Sequence, residues 1–178
     1  MSRLTAISPE AATGAAAELF AKVKKAVGKV PNSYVTIGTH SPAALGAVLS
    51  LDAVVAGSSL AKPDIEAIKL AVSEIGGCDY CVAAHTLMGK FAGLSQEAMK
   101  QIRAGEATGD AKRDVLVHFV RTLVSTHGTV PVEEVDGLRA VGYTEQQVIE
   151  IALTMASITF TNLVNRVNDT TVDFPAVV

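Results

Sequence analysis

Cys78, Cys81 and His85 are the residues of this chain whose types and spacing could do chemistry. The two cysteines are the only ones among 178 residues, and they fall within Glu74-Ile75-Gly76-Gly77-Cys78-Asp79-Tyr80-Cys81-Val82-Ala83-Ala84-His85. At about 100° per residue, Cys78, Cys81 and His85 share one face of a helix within roughly 60°. Cα atoms at i and i+3 stand about 5 Å apart, which a disulfide can bridge. A cysteine in the opening turn of a helix meets unpaired backbone N–H groups and a positive dipole, which favour thiolate over thiol. His85, one turn beyond Cys81, is placed to take its proton.

Three chemistries fit this face. Two thiols close enough to join, with a base one turn on, suit reversible thiol oxidation: one attacks a peroxide or disulfide and the other resolves the product. The same three residues could ligate zinc, which usually asks for a fourth protein ligand or water. No second cysteine pair exists, and His40, His118 and His127 are isolated in the chain. The third reading is an inert pair packed as small apolar residues. Residue types and spacing favour the redox site, then metal, then inert packing. Haem attachment is excluded because position 82 is Val rather than His.

The elements that must hold these residues are helices. A length of 178 residues suits a single domain spanning 1–178 with a substantial core. Hydrophobic residues make up 49% but aromatics only 4%, with no Trp, which is the composition of closely packed helices. A net charge of −3 with scattered Lys and Arg argues against specific nucleic-acid binding. The mean hydropathy of +0.34 is high for a soluble monomer and points to buried subunit interfaces. No membrane segment is expected. Leu45 to Leu60 is interrupted by Asp52 and serines, and Ile151 to Val164 is short and carries polar residues. Met1-Ser2-Arg3-Leu4-Thr5 has no apolar signal core. A cytoplasmic protein is expected, where a CxxC pair is catalytic or metal-binding more often than structural.

Stop and cap signals set out the chain. Ser8-Pro9-Glu10 reads as a helix start, running to Val27 before Gly28. A short helix is expected over Ser33 to Thr39, and another from Ser41-Pro42 to about Val55. Lys62-Pro63-Asp64 opens a helix that Gly76-Gly77 ends. The CxxC helix follows, from about Cys78 to Phe91. Ser95 caps a helix to about Ala104. The next runs from Gly109-Asp110 through Val124, stopped by Gly128, with His127 as a helix C-terminal residue. Pro131 to Ala140 is short, and Thr144 with Gln147 matches a capping box before a long helix to about Val167. No strand pattern competes, because Leu116, Phe119, Val120 and Leu123 keep helical spacing. The expected fold is all-α, about eight helices, with an antiparallel pair carrying the CxxC site. The stretches 92–97 and 141–146 resemble one another, which shared stop-and-cap chemistry explains.

His85 needs an orienting partner. If the two helices pivot at Gly76-Gly77, His85 lies about as deep as position 68, which puts Glu66 within about half a turn of it. Glu74, near the corner, is expected to be solvated. A carboxylate on the imidazole would orient it as a base. A solvated first-turn acid favoured by the helix dipole is the equally open alternative for Glu66.

Glu66, then eleven residues, Cys78-Asp79-Tyr80-Cys81, three residues and His85, followed by Gly89, Ala92-Gly93-Leu94 and Ser95, closely resembles the alkylhydroperoxidase D (AhpD)-like branch of the carboxymuconolactone decarboxylase family. Val30-Pro31-Asn32, Ser41-Pro42-Ala43-Ala44-Leu45, Phe160 to Asn165 and Asp173-Phe174-Pro175 extend the resemblance along much of the chain. The resemblance implies an all-helical fold assembling as trimers or hexamers, without metal or organic cofactor. It implies a peroxide substrate, with Cys81 as the attacking thiolate, His85 and Glu66 as a proton relay through water, and Cys78 as the resolving thiol. It also implies a thiol reductant, a lipoyl-bearing or peroxiredoxin partner. Mycobacterial members carry a relay histidine where this chain has Tyr80. A tyrosine is a poor base at neutral pH, but its hydroxyl can hold a water or donate to a peroxide oxygen. Lactone decarboxylation does not use a CxxC pair and is not expected. The alternative function is a redox-responsive switch or disulfide reductase with little peroxidase turnover. Asn162 and Asn165, in an apolar helix, are expected to be structural amides.

Overall fold

The computed structural model describes residues 2–126 and 129–176, and among these the chain is all-α, with nine helices and no strand. In order they are α1 (Gly14–Val27), α2 (Asn32–His40), α3 (Pro42–Ala56), α4 (Lys62–Ile75), α5 (Asp79–Phe91), α6 (Gln96–Ala104), α7 (Ala111–Ser125), α8 (Val132–Ala140) and α9 (Glu145–Asn168). The nine include the short helix expected after Pro31, which spans nine residues.

The centre of the fold is α4, which packs against α5, α6, α7 and α9. Its Ile68, Leu70 and Ala71 are wholly buried, as are Leu116 of α7, Leu138 of α8 and Ile151 of α9. A smaller cluster of Phe20, Ile37 and Leu45 joins α1, α2 and α3. Burial of these aliphatic faces drives the assembly, since most of the helices are too short to be stable alone in water.

The corner between α4 and α5 positions the cysteines. Gly77 adopts φ +61°, a left-handed conformation that glycine reaches without strain. The Gly77 N–H then donates to the Glu74 carbonyl and the Cys78 N–H to the Ser73 carbonyl, a Schellman stop that satisfies the end of α4. The chain emerges with Cys78 already at the N-cap of α5. The same stop recurs at Gly93 and Gly142, followed in each case by a capping Ser95 or Thr144. Shared stop-and-cap chemistry therefore accounts for the likeness of these two stretches. The Thr144–Gln147 capping box is formed in full.

Three expectations need correction. The first helix starts at Gly14, not at Ser8. The Ser8 carbonyl accepts from Ala11 and Ala12, closing a single turn, after which Thr13 is extended at φ −131° and Gly14 sits at φ +58°. Neither conformation lets a right-handed helix run through. The apolar window from Ile151 is not short, because it belongs to the 24-residue α9, which by length and composition alone could cross a membrane. In this fold α9 instead packs on α4, α3, α5 and α2, with Ile151, Met155 and Ile158 in the core. Its buried asparagines do not interrupt it because their amides bond to neighbouring elements. Glu74 is only partly solvated, with its side chain 36% exposed and Arg103 Nε donating to its Oε2 at 2.6 Å. The end of α7 at Ser125, with an extended Thr126 after it, agrees with the expected run through Val124. The expected stop at Gly128 and the position of His127 lie outside the described residues.

Candidate active site

Both sulfurs lie at the start of α5. Cys78 and Cys81 are joined as a disulfide with Cα atoms 5.3 Å apart, and each is only 2% exposed. The Cys81 N–H donates to the Cys78 sulfur at 3.3 Å, so Cys78 also serves as the side-chain cap of α5. One turn on, His85 Nδ1 bonds Glu66 Oε2 at 2.8 Å, and both side chains are largely withdrawn from solvent. The antiparallel packing of α4 on α5 thus brings Glu66 to the imidazole. Of the two alternatives for Glu66, the structure selects the partner of His85 over the solvated acid.

Cys81 and His85 line a cavity of about 360 Å³, walled by residues of α1, α2, α3, α4, α5, α9 and the chain after α9. Cys78 is not among its lining residues. Aliphatic and aromatic groups, Leu87, Met88, Phe91, Ile158 and Phe174, form much of the wall. The polar wall is a network around Asp52: Tyr34 donates to Oδ2 at 2.9 Å, Ser157 to Oδ1 at 2.8 Å, and Lys69 stands 3.6 Å from Oδ1. Burial raises the Tyr34 hydroxyl above the ordinary tyrosine range, and the Asp52 charge raises it further, so it is a donor.

Tyr80 is placed differently from a relay residue. Its hydroxyl donates to Asp173 Oδ1 at 2.8 Å and accepts from the Ser33 N–H at 3.1 Å. Burial pushes this hydroxyl up as well, with the Ser33 N–H working against the shift and the Asp173 carboxylate with it. Its one proton is committed to Asp173, which Lys29 also holds at 2.9 Å. Phe174 packs edge-on against the Tyr80 ring. Tyr80 therefore fastens the chain after α9 over the cavity.

Asn162 and Asn165 divide in role. Asn162 accepts from Ser73 Oγ at 3.2 Å and donates to the Val72 carbonyl at 3.4 Å, the structural amide expected of it. Asn165 departs from that expectation, because its Nδ2 donates to the Cys81 sulfur at 3.3 Å. The only hint in the sequence was a polar residue at core spacing in an apolar helix. His40 binds the Thr5 carbonyl and the exposed His118 pairs with Glu134, both far in role from the sulfurs. Among the described residues, no group of three or more His, Cys, Asp or Glu is arranged to hold a metal ion.

The fold is an AhpD-like helical one, with a CxxC pair at the head of one helix. The chain superposes on the AhpD core of an uncharacterized peroxidase-related protein from Ralstonia eutropha JMP134 with a TM-score of 0.86, at 20% identity, covering 97% of this chain and 92% of that one. It superposes on a cysteine-to-alanine variant of the debrominase Bmp8, in complex with 2,3,4-tribromopyrrole, with a TM-score of 0.81 at 19% identity, covering 97% and 94%. A putative antioxidant defence protein AhpD from Agrobacterium tumefaciens, of unknown function, gives 0.70 at 24% identity, covering 76% and 94%. At these identities the likeness is one of fold. Residues 42–112, from the start of α3 into α7, match the model of the carboxymuconolactone decarboxylase family. The matched segment contains Glu66, both cysteines and His85. No curated protein matches the chain significantly.

Proposed function

We propose that this protein is a thiol-dependent peroxidase that reduces hydroperoxides through the Cys78–Cys81 dithiol. One observation carries the reading: an imidazole held by a carboxylate lines the same cavity as one sulfur of a joined pair. In the reduced protein His85 takes the Cys81 proton. The thiolate attacks the distal oxygen of the hydroperoxide, the O–O bond breaks, and the departing alkoxide takes the proton from His85. The products are an alcohol and a Cys81 sulfenic acid. The Cys78 thiol then condenses with it, giving the disulfide and one water. A dithiol reductant returns both thiols and is itself oxidised to a disulfide. With the sulfurs 2% exposed, a slender dithiol such as a lipoyl arm reaches them more readily than a thiol on a broad protein surface.

One equivalent of cumene hydroperoxide added to reduced protein is expected to remove two hydrogens, located by mass spectrometry to the Cys78–Cys81 peptide. Excess dihydrolipoamide is expected to sustain peroxide consumption. Oxidation that stops after one equivalent despite the reductant would instead identify a redox switch. Oxidation located elsewhere would sink both readings.

We also propose that the chain self-associates. Phe91, Ile149 and Val167 are 74%, 70% and 63% exposed, apolar surface that a second copy would cover. Sedimentation at micromolar concentration is expected to give a trimer or hexamer, and a mass of one chain rejects this.

A further inference from the structure

Asn165 brings both ends of its carboxamide to the reacting centre. Nδ2 donates to the Cys81 sulfur at 3.3 Å. Oδ1 is buried and has no hydrogen-bond partner among the described residues, although the side chain lines the cavity and the residue is 4% exposed. Leaving a buried amide oxygen unpaired is costly, so such an acceptor in a cavity wall is suited to a ligand that brings a donor. A second buried oxygen in the same wall, Ser33 Oγ, also lacks a partner among the described residues. Both residues line the cavity beside the sulfur, so a small rotation of either side chain would offer its unpartnered oxygen to a polar ligand there.

We propose that Asn165 positions the hydroperoxide for attack, its Oδ1 accepting the peroxide O–H while its Nδ2 steadies the Cys81 thiolate. The inference rests on the peroxidase reading and adds a residue to it. A hydroperoxide carries its single O–H on the distal oxygen, the atom the thiolate attacks. One carboxamide touching both partners sets that oxygen against the sulfur. The hydrogen bond outlasts the chemistry: the S–O bond forms, the O–O bond breaks, and the same O–H becomes that of the Cys81 sulfenic acid. The alkoxide takes its proton from His85, so Asn165 neither gains nor loses one. Holding both reactants in line is a positioning effect, and it acts on peroxide but not on reagents that lack the O–H.

The test uses the full chain with Cys78→Ser, leaving Cys81 as the sole thiol, alone or combined with Asn165→Ala or Asn165→Asp. Two rates are followed against pH: sulfenic acid formation with cumene hydroperoxide, and alkylation by iodoacetamide. Loss of the Nδ2 donor is expected to move the Cys81 titration midpoint upward in Asn165→Ala. The shift is larger in Asn165→Asp, where a carboxylate faces the thiolate. Above the midpoint, Asn165→Ala is expected to lose about tenfold or more in the peroxide rate relative to the iodoacetamide rate. Asn165→Asp, nearly identical in shape and still an acceptor, is expected to keep that ratio within about threefold. An unchanged ratio in Asn165→Ala, or an equal loss in both variants, overturns the inference while leaving the peroxidase reading intact. A Cys78→Ser protein that forms no sulfenic acid removes Cys81 as the nucleophile and overturns this inference; the peroxidase reading falls with it if Cys81→Ser forms none either.

Discussion

Cys81→Ser is expected to lower peroxide turnover by at least about a thousandfold, about 4 kcal/mol of activation barrier, because a serine hydroxyl is a far weaker nucleophile towards a peroxide oxygen. Cys78→Ser is expected to behave differently. Cys81 lines the cavity and Cys78 does not, so the first oxidation survives and stops at a sulfenic acid that dimedone traps. Steady-state turnover with dihydrolipoamide then falls because no intramolecular thiol resolves the sulfenic acid. The two variants should fold alike. The Cys78 side chain caps α5, and serine is among the preferred residues for that position. Turnover that persists in Cys81→Ser excludes the proposed nucleophile. A Cys78→Ser protein that resists the first oxidation, beside a Cys81→Ser protein that accepts it, exchanges the roles of the two sulfurs.

The second large effect belongs to His85 and Glu66. His85→Gln removes the group that takes and returns the proton, and a loss of about a hundredfold or more in kcat/KM at pH 7 is expected. Glu66→Gln keeps a hydrogen-bonding group opposite Nδ1 but loses the charge that stabilises a protonated ring, and about tenfold is expected from it. The double variant distinguishes a relay from two separate contributions. Glu66 acts through its 2.8 Å bond to His85, so Glu66→Gln added to His85→Gln should cost almost nothing more. Multiplying losses would show that Glu66 acts elsewhere. Thermal melting of each variant separates this from damage to the fold, since both side chains are largely withdrawn from solvent.

The chain's readable part is the part governed by neighbours in sequence. Helix periodicity put Cys78, Cys81 and His85 on one face, and the Gly76-Gly77 corner implied an antiparallel return. Counting outward from that corner brought Glu66 to the level of His85, where the 2.8 Å bond now stands. The boundaries of α3 through α6 followed from Ser41, Pro63, Gly77 and Ser95 for the same reason: caps and stops act over a single turn. The exception at the N-terminus is instructive. Ser8-Pro9 carries a proper start signal, yet only a turn forms, because an extended Thr13 and a left-handed Gly14 intervene before α1.

The sequence by itself determined an all-helical chain, the CxxC face and its imidazole, and offered Glu66 as one of two open roles for a carboxylate one helix away. Tertiary structure alone decided what surrounds them. It decided that Asn165, rather than Asn162, touches a sulfur 84 positions away, that Tyr80 spends its proton on Asp173, and that Asp52 gathers Tyr34, Ser157 and Lys69 into the cavity wall. The physical reason is that two asparagines three residues apart on α9 share nearly the same helix face. Which of them meets Val72 and Ser73, and which meets Cys81, depends on how α9 crosses α4 and α5, an angle and a depth set by the packing of aliphatic side chains from several helices at once.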